Sequence, residues 1–130
     1  MATKKMVFIS FNYDHDEGAK TMLACQAKLD DSPFDFTDAS VKDHLTGDWK
    51  EKIRRRIANI DVVIVLCGEQ THKATGVATE LTIVQEKGKS YFLLAAYSDQ
   101  TCTKPTSAES EDKVYNWTWP NLKILIAGGR

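Results

Sequence analysis

Between Asp61 and Gly68 the chain reads Val62-Val63-Ile64-Val65-Leu66-Cys67, a run without a charged or hydroxyl side chain. A strand that faces water on one side alternates apolar and polar residues. This run does not alternate, so both of its faces must be covered. It predicts a central strand of a parallel sheet, with helices on each side. At 130 residues the chain is about one domain long and can bury one such core.

The flanking segments complete an alternating pattern. Met6-Val7-Phe8-Ile9-Ser10 is a second short, nearly apolar run. Glu17 to Leu29 carries Met22, Cys25 and Leu29 at helical spacing, and Asp30-Asp31-Ser32-Pro33 stops it. Phe34-Asp35-Phe36-Thr37 alternates and reads as a strand nearer an edge. Asp48, with Glu51 following, is a candidate cap for a helix striped by Trp49, Ile53, Ile57 and Ile60. Lys50, Lys52, Arg54, Arg55 and Arg56 surround that stripe as a solvated face. A further helix is expected from Thr75 to Lys87, capped by Gly88, and a fourth strand from Ser90 to Tyr97. The order βαβαβαβ argues for an α/β fold, a doubly wound parallel sheet in three layers. We expect one domain over residues 1–130, its core at 5–97. A mobile acidic, Ser/Thr-rich loop is expected at 98–113, then a tryptophan-containing strand and short helix within 114–130.

Composition narrows the function classes. With 42% hydrophobic and 27% charged residues, collagen, a long coiled coil and full disorder are ruled out. The 17 basic and 18 acidic residues leave a net charge of −1, which argues against nucleic-acid binding by bulk charge. No apolar run nears the roughly 18 residues of a membrane helix. The lysines of MATKKMVFIS precede too short an apolar run, and no small-residue cleavage site follows, so a cytoplasmic chain is expected. Cys25, Cys67 and Cys102 are odd in number and widely spaced, which suggests reduced thiols. No CxxC or HxxxH spacing occurs, so no metal site is expected.

Ligands of open parallel sheets sit beyond the carboxyl ends of the strands, where the strand order reverses. Residues 11–16, 38–47 and 69–75 leave such ends. FNYDHDEG, after the first strand, lacks the hydroxyl- and glycine-rich cradle of an FMN site. The third strand ends Leu66-Cys67-Gly68, without the aspartate that a phosphate-accepting receiver needs. Neither GxGxxG nor GxxxxGKS occurs. At about 100° per residue, Glu80 falls between Val84 and Ile83, inside the apolar arc of its helix, while Glu86 lies on the solvent side. A carboxylate on a buried stripe is costly unless it is paired or open to a cleft. A salt bridge or a charge near the helix N-terminus accounts for it as well as a ligand does.

Taken in order, these residues resemble a known family. Val7-Phe8-Ile9-Ser10-Phe11 followed by Asn12-Tyr13-Asp14-His15-Asp16 looks like the opening strand and loop of TIR domains. Asp61 to Gly68, Thr71, Gly76-Val77-Ala78-Thr79-Glu80-Leu81 and Lys87-Gly88-Lys89 look like their third strand and helix. The likeness is to the TIR-like family that includes the ThsB proteins of Thoeris antiphage defence. It spans Lys5 to Tyr97, and Asn116-Trp117-Thr118-Trp119 also fits. The resemblance implies a flavodoxin-like sheet with strand order 2-1-3-4-5. It implies NAD+ as substrate, with no further cofactor. The nicotinamide–ribose bond would be cleaved, and the ADP-ribose part would become a cyclic or conjugated messenger for a downstream effector protein. Glu80 stands where the family has its essential glutamate. Gly76 stands where these sequences place a tryptophan before Val-x-x-Glu.

Four further residues are candidates to contact that substrate. Phe11 would stack on a ring, Asn12 and Ser40 would hydrogen-bond ribose or phosphate, and Trp49 would line the cleft. Each has a plain alternative: core packing for Phe11 and Trp49, loop capping for Asn12 and Ser40. His15, His44 and His72 are expected to be solvated, and Cys67 to be inert packing. The resemblance implies a homo-oligomer in which residues 38–47 complete a neighbour's cleft. The alternative is a non-catalytic TIR-like adaptor acting by self-association. Neither nucleic acid nor membrane is expected as a partner.

Overall fold

The doubly apolar run is the middle strand of a five-stranded sheet. The computed structural model describes residues 5–11, 17–28, 34–36, 51, 54–55, 57–58, 60–97 and 101–126. In chain order the elements are β1 (Lys5–Ser10), α1 (Glu17–Ala27), β2 (Phe34–Phe36), β3 (Val62–Cys67), a 3-10 turn (Thr71–Lys73), α2 (Thr75–Glu86), β4 (Ser90–Ala95), β5 (Val114–Tyr115) and α3 (Trp119–Ile126). Glu51, Arg54, Arg55 and Ile57 are also helical, where the basic helix is expected. The strands run in the order β2-β1-β3-β4-β5, and every pair is parallel. This is the flavodoxin-like order that the resemblance implies.

Alternation along the strands divides the core into two layers. Val7, Ile9, Ile64, Leu66 and Leu94 face α1 and α3, meeting Leu23 and Leu122. Phe8, Val63, Val65 and Leu93 face the other way, against Leu81 and Val84 of α2 and against Ile57. The register keeps each layer continuous, because Val7 pairs with Val62 and Ile9 with Ile64. Every residue of β3 is buried, which explains why its sequence has no polar face.

The element ends have local causes. Asp61 clamps the start of β3 to β1: its Oδ2 accepts the Met6 N–H at 2.8 Å, and its own N–H donates to Met6 O at 2.9 Å. β4 stops at Ala95 because its partner strand ends there, at the Cys67–Ala95 pair. After α2, Gly88 takes φ 65, Lys89 N–H donates to Val84 O and Gly88 N–H to Gln85 O. These are the two bonds of a Schellman cap, whose left-handed position suits glycine.

Residues 101–113, within the segment expected to be mobile, are tied to the sheet and to α2. Thr103 N–H donates to Gly68 O at 2.9 Å, and Ser107 Oγ donates to Ala78 O at 2.7 Å. Asp112 is buried, and its Oδ2 accepts the Tyr91 hydroxyl at 2.7 Å and the Glu109 N–H at 2.9 Å. The polar composition that reads as a free loop is used here to satisfy backbone and buried groups.

Tyr91→Phe removes one donor from a buried carboxylate. It should lower stability by about 1.5–3 kcal/mol in urea unfolding. The Asp112 amide, bonded to Glu109 O at 3.1 Å, should exchange with solvent faster. Unchanged stability would mean that this anchor carries no load.

Candidate functional site

Parity along β1 decides which of its residues meets which helix. Phe8 and Ser10 share the face turned toward α2, and Val7, Ile9 and Phe11 share the opposite one. At the last position of β1, Ser10 Oγ donates to Oε1 of Glu80 at 2.9 Å. Glu80 lies in the second turn of α2, on the stripe that also carries Val77, Leu81 and Val84. Ser10 is 1% exposed and Glu80 3%. Oε2 of Glu80 has no hydrogen-bond partner among the described residues.

Ser10 is paired with Val65 of β3, so the dyad stands at the carboxyl end of β1, beside the central strand. In the order 2-1-3-4-5 the chain reverses its direction of growth between β1 and β3, where ligands of such sheets lie. Burial pushes the Glu80 carboxyl up to about 8, and the Ser10 hydroxyl pulls in the opposite direction by favouring the ionised form. At neutral pH the group is therefore mostly protonated. When ionised, it is a single negative charge in a dry, fixed place, suited to stabilising a developing cation.

The remaining sequence candidates divide into three groups. Phe11 is 4% exposed and packs in the layer with α1. One residue past Ser10, it faces the other side of the sheet, away from Glu80. Its ring is part of the core, the plain alternative to a stacking role. Asn12, Ser40, Trp49 and the loop 38–47 lie outside the described residues, as do His15 and His44. His72 is exposed, with its ring nitrogen 3.0 Å from Thr103 Oγ1. Arg54 meets Glu51 at 3.6 Å and Glu86 at 3.9 Å, all three side chains well exposed, as befits a solvated face.

Ser10 is the residue of this candidate site that sequence reasoning missed. It is the one hydroxyl in an otherwise apolar run, on the same parity as Phe8, and that signal was available. The cysteines form no disulfide; Cys67 is buried. No cluster of three metal-ligating side chains occurs among the described residues. No helix there is long and apolar enough to cross a membrane. A groove of about 780 Å³ lies beside the end of β4, lined by Met22, Gln26, Tyr97, Cys102 and Trp117 among others, and Glu80 is not part of it.

The family model described as Thoeris protein ThsB, TIR-like domain, matches residues 8–103. The chain belongs to this ThsB TIR-like family. The matched span includes both members of the Ser10–Glu80 dyad. Among solved structures, the crystal structure of a prokaryotic SEFIR domain is similar to this TIR-like domain, with a TM-score of 0.58 at 17% identity, covering 95% of this chain and 91% of that one. At that identity the likeness is one of fold. No curated protein matches the chain.

Two outcomes follow for this ThsB-family domain. Phe11→Ala should cost about 3–5 kcal/mol of stability through the cavity it leaves. Whatever ligand the folded fraction binds, its affinity should stay the same by calorimetry. For Glu80 the folded state holds a proton, between about 4.5 and 8, that the unfolded chain has released. This group's contribution to stability therefore falls as pH rises through that window. Glu80→Gln removes the effect, so its stability relative to the parent should climb from pH 5 to pH 8, on the order of a few kcal/mol. A difference that does not change with pH in urea melts would place the carboxyl in contact with water.

Proposed function

We propose that this ThsB-family domain consumes NAD+. It cleaves the nicotinamide–ribose bond and turns the ADP-ribose part into a cyclic or conjugated messenger in antiphage defence. The observation that carries this reading is the buried Glu80 carboxyl, held by Ser10 at the switch point of the sheet. The chemistry asked of it is modest. Nicotinamide leaves with the electron pair of the C–N bond and becomes neutral, so no strong acid is needed. Positive charge develops on the ribose, as in the oxocarbenium-like states of glycoside cleavage. An ionised Glu80 stabilises that charge in a site of low dielectric. Water, or a hydroxyl of the substrate or of an acceptor, then takes the ribose carbon. The same reading makes a neighbouring copy a partner, through residues 38–47, and gives the messenger an effector protein as its target.

The test is release of free nicotinamide from NAD+ by the purified chain, followed over pH and over protein concentration. In the parent, kcat/KM should rise with pH and level off above about 8, because that parameter follows the essential base of the free enzyme. Specific activity should rise with protein concentration if a second copy completes the cleft. Glu80→Gln should abolish release while keeping the fold. Release at the parent rate by Glu80→Gln would make Glu80 structural and the proposed activity wrong.

One observation favours a second reading. A carboxyl that is 3% exposed and bonded to a strand serine is also how a structural polar pair is built. On that reading the TIR-like module works by association alone, and no nicotinamide appears at any concentration.

A further inference from the structure

We propose that Ser10 is a positioning residue: its hydroxyl holds Oε1 of Glu80 against the end of β1 and leaves Oε2 as the carboxyl oxygen presented to substrate. The proposal rests on the reading of Glu80 as the catalytic carboxylate. Its grounds are geometric. The bond is 2.9 Å long and joins two side chains that are 1% and 3% exposed. Both ends are fixed by regular structure, one by the β1–β3 ladder and the other by the second turn of α2. Oε1 has Ser10, whereas Oε2 has no partner among the described residues. A buried carboxyl oxygen without a partner is costly, and a ligand donor would remove that cost.

Ser10 also acts on the proton. Its O–H donates, so it favours the ionised carboxylate and opposes the burial that disfavours it. Other titratable groups around α2 are placed differently. Lys5 on β1, His72 and Lys73 in the 3-10 turn, and Glu86 on α2 itself are exposed. Arg54 is engaged by Glu86. On the α2 side of the sheet, Tyr91 of β4 is bonded to Asp112. The Cys67 thiol, 3.7 Å from Val65 O, is the buried titratable group of β3 on that side.

The experiment compares Ser10→Ala, Ser10→Thr, Glu80→Gln and Cys67→Ala with the parent. It reads nicotinamide release over pH 5–10 and the carbon-13 shift of the Glu80 carboxyl, titrated without NAD+. Loss of one hydrogen bond to a charged group should move the acid limb of kcat/KM and the carboxyl midpoint up by about one pH unit. At pH 7 that is about tenfold lower kcat/KM, recovered at alkaline pH. Ser10→Thr keeps the hydroxyl and should restore both midpoints. Cys67→Ala should leave them in place. If Ser10→Ala moves neither midpoint while Glu80→Gln is inactive, Ser10 is packing and the proposal is overturned, with the catalytic reading intact. If the parent releases no nicotinamide, or Glu80→Gln releases it at the parent rate, the catalytic reading falls and takes the positioning role with it.

Discussion

From Val7 to Ser10 in β1 and throughout β3 the strands have no side turned to water, and most of the molecule follows from that. A strand covered on both faces can carry a polar side chain only where another element offers it a partner. The polar side chain at the buried end of β1 is Ser10, and α2 offers Glu80. The two layers are locked in phase by the β1–β3 register, so Ser10 faces the layer that holds α2. The pairing of serine with glutamate is thus a consequence of parity, fixed before any question of activity arises.

Stability alone does not account for Glu80. A protonated carboxyl in this layer gains one hydrogen bond and leaves its second oxygen without a described partner. An apolar side chain of similar volume would satisfy the stripe formed by Val77, Leu81 and Val84 without that cost. By contrast, Asp112 accepts two hydrogen bonds and holds residues 101–113 against β4, so its burial has a structural reason. The two buried acids among the described residues therefore divide by how completely they are satisfied. The satisfied one builds the fold, and the unsatisfied one is the group on which the proposed function rests.

Where burial is long and uniform, the sequence was legible. Val62 to Cys67 and Met6 to Ser10 could be nothing but inner strands, and the periodicity of α2 placed Glu80 inward without a structure. Ser10 and Phe11 required one more step. Counting by twos from Phe8 turns Ser10 toward α2 and Phe11 away from it, and the polar residues after Phe11 obscure that count. β5 and the segment before it were harder for a different reason. A strand of two residues, Val114–Tyr115, has no period to read. The anchors of residues 101–113 are long-range bonds, backbone to Gly68 and side-chain to Ala78 and Tyr91, which no local pattern encodes.

The likeness to a SEFIR domain at 17% identity is one of fold alone. What a domain of this fold does is decided by the few polar groups at the carboxyl ends of its strands. Here that group is a carboxyl mostly neutral at pH 7, whereas the proposed reaction needs its anion. The proposed substrate would itself supply the missing charge. The nicotinamide ring of NAD+ carries a positive charge before the bond breaks. A cation seated within about 4–6 Å of a buried carboxyl favours the ionised form and lowers its pKa by one to three units. In the proposed reaction, docking of the cationic ring and loss of the Glu80 proton are then one coupled event. As the C–N bond breaks, the positive charge passes from the departing ring to the ribose, and the carboxylate stays paired with it throughout. A neutral analogue of the ring would not ionise the group, so in the proposed reaction the same burial that raises the pKa would also select for a charged leaving group.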